Sequence, residues 1–117
     1  MAKAHEITIT PASGHIEVTL DGETLAASDR AVVLNETGLQ PRYYFPREDV
    51  RMDLLQPTST ESTCPFKGKA SYWSVTAAGK VHDDLVWGYE TPIPQAEGVA
   101  GFLCFWEEKA PVAIDVS

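Results

Sequence analysis

The 117-residue sequence lacks most features that would assign a function directly. Its two cysteines, Cys64 and Cys104, lie far apart and its three histidines are scattered, so the paired ligands of a structural zinc site are missing. No apolar run approaches the roughly 20 residues that span a bilayer, and the start has no apolar stretch typical of a secretory signal. We therefore expect no metal, no other cofactor, no membrane association, and a cytoplasmic location with both thiols reduced.

Basic residues are also scarce. Nine Lys and Arg residues stand against seventeen Asp and Glu residues, which gives a formal net charge of -8. Because phosphate contacts need clustered Lys and Arg, this balance argues against nucleic-acid binding. Apolar residues make up 44% and charged residues 22%, close to average globular usage, so global disorder is excluded. The length suits one compact domain over residues 1–117.

Long helical periodicity is absent, and short alternating patterns typical of strands take its place. Alternation at 6–10 and 16–20 predicts an antiparallel pair of half-buried strands, and Asp21-Gly22 predicts a tight turn that returns the chain. The other expected elements are strands at 24–27, 31–34, 43–45, 52–55, 101–106 and 112–116, a hairpin of 70–76 with 81–89, helical turns at 46–49 and 95–100, and a polar loop at 57–63. We predict a mostly β, antiparallel, single compact domain with at most short helical turns.

The eleven aromatic residues all lie between Tyr43 and Trp106. The start of this region, residues 42–69, is also the one segment whose charges are nearly balanced. Aromatic walls beside local bases favour a pocket for a small anion, although core aromatics and surface ion pairs would give the same pattern. The candidate ligand-binding residues are the walls Tyr44, Tyr72, Trp87 and Tyr89 and the cations Arg42 and Lys67.

Cys64 is the candidate nucleophile, because a nearby cation can stabilise its thiolate. Lys67 follows three residues later, across a turn that contains proline, and is the candidate activator. The alternative is that Cys64 is an inert cysteine at the end of a loop. Lys67 could instead pair with Asp49 or Glu61, and Asp49 is a further ligand-binding candidate. Cys104 is expected in the core because its flanking residues are apolar.

Several motifs carry a resemblance to a known family. They are the runs YYFPREDVRMDLL at 43–55, CPFKG at 64–68 and ASYWS at 70–74, Trp87-x-Tyr89 followed by Pro92, and the segment 100–102 with Phe105. Together they resemble domain-of-unknown-function family 427, sometimes labelled nucleotidyltransferase-like, over roughly residues 15–116. The resemblance implies a β-tent-like fold, shared with methionine-R-sulfoxide reductases and glutathione-dependent formaldehyde-activating enzymes.

The resemblance does not imply that this chain shares the metal chemistry of the enzymes with a β-tent-like fold. Those relatives carry zinc on Cys-x-x-Cys motifs, which this chain lacks. Enzymes of the kind named by the nucleotidyltransferase-like label usually hold metal on two carboxylates near a Gly-Ser turn, and no Gly-Ser dipeptide is present. Three hypotheses remain: a domain that binds a small anionic ligand, a thiol-dependent enzyme that uses Cys64, and a structural or protein-interaction module such as a homodimer formed through exposed strand edges.

Overall fold

A computed structural model of the chain describes residues 5–117 and confirms the mostly β prediction. The strands are β1 (Ile7–Pro11), β2 (Ile16–Leu20), β3 (Glu23–Ser28), β4 (Val32–Glu36), β5 (Arg42–Tyr44), β6 (Leu55–Cys64), β7 (Gly68–Ala77), β8 (Lys80–Gly88), β9 (Leu103–Phe105) and β10 (Val112–Val116). Short 3-10 turns occupy Arg47–Asp49, Met52–Leu54 and Pro94–Val99. No helix in the described stretch is long and apolar enough to cross a membrane.

The strands of residues 5–117 form three antiparallel sheets, in the orders β1-β4-β5, β10-β2-β3 and β6-β7-β8-β9. Two of these sheets are joined at a seam between Phe45 and Leu103, which exchange backbone hydrogen bonds with N···O distances of 2.8 and 2.9 Å. The seam sets β5 beside β9, so the first and third sheets present one continuous face.

Apolar side chains are buried in two clusters on opposite sides of this seam. Phe45 belongs to the larger cluster, together with the alternate residues of β2. Tyr44 belongs to the smaller cluster, with Leu34, Tyr89 and Cys104. Tyr44 and Phe45 separate in this way because successive strand residues point to opposite faces. The smaller cluster forms the base of the candidate site.

The predicted pairing of residues 6–10 with 16–20 is wrong. β1 pairs with β4, whereas β2 lies between β3 and β10. Alternation identifies a half-buried strand but carries no information about its partner, and here β10 occupies the edge of β2 that β1 would need. The backbones of His15 and Ser117 continue this pairing, with N···O distances of 3.0 and 2.9 Å.

The predictions for the segment 52–63 are also wrong. A 3-10 turn replaces the strand expected at 52–55, and the expected polar loop at 57–63 lies within the ten-residue strand β6. β6 is a highly exposed edge strand, so it needs few apolar residues, and its backbone pairs with β7. Its threonine hydroxyls donate to the carboxylate of Asp84 at 2.6 and 2.7 Å, which gives the polar side chains partners within the sheet.

Candidate functional site

A cavity of about 300 Å³ lies over the smaller cluster, on the face that the first and third sheets share. Its lining residues come from β4, β5, β7 and β8 and from the segments that follow β4, β6, β8 and β9. The structure brings together here six of the residues singled out from the sequence: Arg42, Tyr44, Lys67, Tyr72, Trp87 and Tyr89. Arg42 and Tyr44, like Trp87 and Tyr89, are two positions apart, so strand alternation points each pair toward the same space.

Five further lining residues were missed by the sequence reasoning: Leu34, Glu36, Leu39, Gln40 and Trp106. Four of them lie in β4 or the loop after it, a region with no aromatic residue and no local signal for a site. Trp106 did carry a signal, since it shares a strand face with Cys104, two positions earlier. That face is the one that reaches the cavity.

The cavity has a buried end and an open mouth. Tyr44 and Tyr89 lie at the buried end, with exposures of 1% and 5%. Leu39 and Trp106 lie at the mouth, with exposures of 61% and 36%. A ligand that enters past the apolar mouth would therefore reach polar groups that are withdrawn from bulk water.

The buried end holds an ion pair between Lys67 and Glu36. The Lys67 ammonium binds one carboxylate oxygen of Glu36, and His5 Nε2 lies 3.0 Å from the other. The Glu36 side chain is only 5% exposed and that of Lys67 only 12%. The alternative that Lys67 pairs with Asp49 or Glu61 is wrong, because Lys67 pairs with Glu36, which sheet register places at the cavity.

Arg42 stands nearer the mouth. Its Nη1 donates to Glu108 at 2.7 Å, and its guanidinium carbon lies 5.4 Å from the centroid of the Trp87 ring. Partial burial lowers the pKa of Arg42, but the hydrogen bond to Glu108 and the neighbouring negative groups outweigh it, so the pKa is raised. The guanidinium is therefore charged at every physiological pH, and it lies over the face of an aromatic wall.

The tyrosines of the buried end are neutral. Trp87 Nε1 donates to the hydroxyl of Tyr44 at 3.2 Å. Burial raises the pKa of Tyr44 and also that of Tyr89, in each case as the largest cause. Both phenols thus keep their protons at neutral pH and can act as hydrogen-bond donors.

Asp49 is the one predicted ligand-binding residue that does not line the cavity. Its carboxylate accepts a hydrogen bond from Ser28 Oγ at 2.7 Å and another from Arg30 Nη2 at 3.1 Å. The Ser28 bond is the main reason that the pKa of Asp49 is lowered. This residue ties the first 3-10 turn to the end of β3.

The two cysteines lie in different environments. Cys104 is buried in the smaller cluster, and burial raises the pKa of its thiol. Cys64 is partly exposed at the end of β6, and its carbonyl accepts a hydrogen bond from the Lys67 backbone N–H at 3.2 Å. The Lys67 ammonium, by contrast, is engaged by Glu36. The nucleophilic role of Cys64 stays a prediction.

The fold and the cavity define a class of protein: an antiparallel β domain with an aromatic-lined pocket that holds paired charges. Within residues 5–117, no group of three or more His, Cys, Asp and Glu side chains is arranged to hold a metal ion. The chain belongs to the family described as Domain of unknown function (DUF427), whose model matches residues 8–116. This match confirms the resemblance of the motifs and begins nearer the start than the expected residue 15. No curated protein is significantly similar to the chain.

Proposed function

We propose that this domain binds a small anionic ligand in the aromatic-lined cavity. The observation that carries the proposal is the convergence of two cations, Arg42 and Lys67, with aromatic side chains from β5, β7 and β8 on one concave space. A cavity of about 300 Å³ is at the small end of ligand pockets, which suits a metabolite rather than a macromolecule.

Both cations retain capacity for a further acceptor. A guanidinium has five N–H donors, and Arg42 uses Nη1 for Glu108. An ammonium has three donors, and Lys67 binds one oxygen of Glu36. The ion pairs therefore hold the cations in place and still leave donors for an anion.

A cationic ligand fits this site less well. The aromatic faces that would attract it already contact the protein's own cations, since Arg42 lies over Trp87 and Lys109 Nζ lies 5.0 Å from the Trp106 ring centroid. A second cation there would meet like charge. The remaining apolar walls favour the planar or apolar body of a ligand, and the donors favour its acid group.

A fragment screen by nuclear magnetic resonance tests the proposal. Anionic fragments are expected to shift the indole N–H signals of Trp87 and Trp106 and to bind about tenfold more weakly to Arg42→Ala, since a hydrogen bond to a charged group is worth roughly 1.5–3 kcal/mol. Arg51→Ala is the matched control, because Arg51 pairs with Asp53 on the exposed surface. Hits that bind equally to wild type and Arg42→Ala, and equally with and without their acid group, would remove the proposal.

Thiol chemistry at Cys64 is a second candidate, favoured by the position of this residue. The carbonyl of Cys64 accepts a hydrogen bond from the backbone N–H of Lys67, which lines the cavity, so Cys64 lies in the turn beside the cavity. A reactive thiol at that place could meet a bound ligand. Its reactivity depends on how readily its thiolate forms.

Alkylation separates the two thiols. In the native protein, iodoacetamide is expected to modify one cysteine, Cys64, whereas Cys104 reacts only in urea because it is buried. Intact mass measured over time gives both rates, and Cys104→Ser should keep the fast one. An inflection of the Cys64 rate well below pH 8.5, about the value of a free thiol, would favour the enzyme. A slow rate at every pH would exclude Cys64 as a nucleophile.

A further inference from the structure

Tyr89 is the most deeply buried polar side chain of the cavity that lacks a hydrogen bond within residues 5–117. It is 5% exposed and lines the cavity, yet no residue in the described part of the chain hydrogen-bonds its hydroxyl. In residues 5–117, His82 Nε2 is the one fully buried side-chain polar atom without a hydrogen-bond partner. The Tyr89 hydroxyl also lacks a partner, so it is not fully buried and keeps a small accessible surface. Because Tyr89 lines the cavity, we take the small accessible surface of its side chain to face the cavity.

Tyr44 supplies a second donor at the same end. Its hydroxyl oxygen accepts the hydrogen bond from Trp87, which leaves its own hydrogen for another acceptor. A buried O–H group without an acceptor is unfavourable, so two such groups around one cavity call for a ligand that accepts hydrogen bonds there. Lys67 adds a charged donor to the same group.

Resting on the anionic-ligand function proposed above, we propose that the ligand is an aromatic monocarboxylic acid. Its carboxylate accepts hydrogen bonds from the Tyr89 hydroxyl and the Lys67 ammonium at the buried end. Its ring lies against Trp87 and Tyr72 and reaches toward Trp106 at the mouth. A planar carboxylate has two oxygens with about four lone-pair sites, which is enough for these two donors and for the Tyr44 hydroxyl at the same end.

The charges around the cavity favour a carboxylate over a phosphate. Glu36 places a carboxylate at the buried end, and Glu107 and Glu108 flank Arg42 at the mouth. A phosphate dianion would bring two negative charges among these acids and would lose more hydration on burial. A monoanion halves the repulsion and still satisfies the donors.

Three matched probes test this inference: 2-naphthoate, 2-naphthyl phosphate and 2-naphthamide, titrated by calorimetry at pH 7.5. We expect 2-naphthoate to bind at least tenfold more tightly than either analogue. Tyr89→Phe should weaken 2-naphthoate about tenfold without lowering Tm, because the lost hydroxyl has no partner in the described protein. Tyr43→Phe is the matched control, since Tyr43 packs on the opposite side against the larger cluster.

The outcomes separate this inference from the function on which it rests. Tighter binding of the phosphate would overturn the carboxylate and leave an anionic ligand. Equal binding of the neutral 2-naphthamide would overturn both the carboxylate and the anionic ligand. Unchanged 2-naphthoate affinity in Tyr89→Phe would overturn the placement of the acid group. If none of the probes binds, the aromatic monocarboxylic acid is overturned, and the fragment screen decides the broader function.

Discussion

Replacement of Lys67 by methionine is expected to lower the free energy of unfolding by about 3–5 kcal/mol, the range found when one partner of a buried ion pair is removed. The loss arises because Glu36 is left as a buried carboxylate without its ammonium partner, with the His5 ring 3.0 Å away. The methionine itself is not the cause, since it fills similar space and suits apolar surroundings. Urea unfolding monitored by tryptophan fluorescence measures the change.

A double variant tests that reason. Glu36→Gln with Lys67→Met removes both charges, so we expect it to recover most of the stability lost by Lys67→Met alone. Lys69→Met is the matched control: Lys69 lies in the same hairpin, pairs with Glu61 at 2.9 Å on the surface, and should change stability by less than about 1 kcal/mol. A double variant as unstable as Lys67→Met would show that the buried charge is not responsible.

Phe45→Ala is expected to lower the free energy of unfolding by about 3–5 kcal/mol and to abolish ligand binding. Phe45 is fully buried and makes an edge-on contact with Phe105, with ring centroids 5.7 Å apart. The same residue forms the backbone seam with Leu103. Loss of the ring would leave a void at the seam that sets β5 beside β9, next to Tyr44 on the cavity side.

Phe66→Ala provides the comparison for this prediction. Phe66 is 38% exposed and stacks on His5, so its loss should cost less than half as much as that of Phe45. Urea unfolding measures both variants, and indole N–H signals report the state of the cavity. If the two substitutions lowered the free energy of unfolding equally, the seam would contribute no more to stability than the exposed Phe66 does.

The strands themselves were largely predictable, because alternation and turn residues are local signals. Strand alternation also places Tyr44 and Phe45 on opposite faces, and the aromatic walls were identified from the sequence. It could not supply Glu36, since an acidic residue at the end of a strand looks the same whether it meets water or a buried lysine. That distinction depends on which strands become neighbours, and strand pairing is a property of the whole chain.

The same limit explains β6. Its serines and threonines have the composition of a loop, and only the pairing with β7 and the position of Asp84 make the segment a strand. The error did not affect the site, because Lys67 lies in the turn that follows β6. Lys67, whose position depends on a local turn, was thus placed well, whereas Glu36, whose position depends on register, was missed.

The pairing of β10 with β2 has a consequence for how the chain folds. Ile114 lies opposite Val18, about a hundred positions earlier, and the backbone of Ser117 closes over Gly14, where an added Cβ would lie 2.2 Å from the Ser117 carbonyl oxygen. During synthesis, the edge of β2 that pairs with β10 therefore stays open until β10 has left the ribosome. Contacts between such distant residues form slowly, so the nascent chain carries an unprotected strand that a chaperone, or another copy of the chain, can reach first.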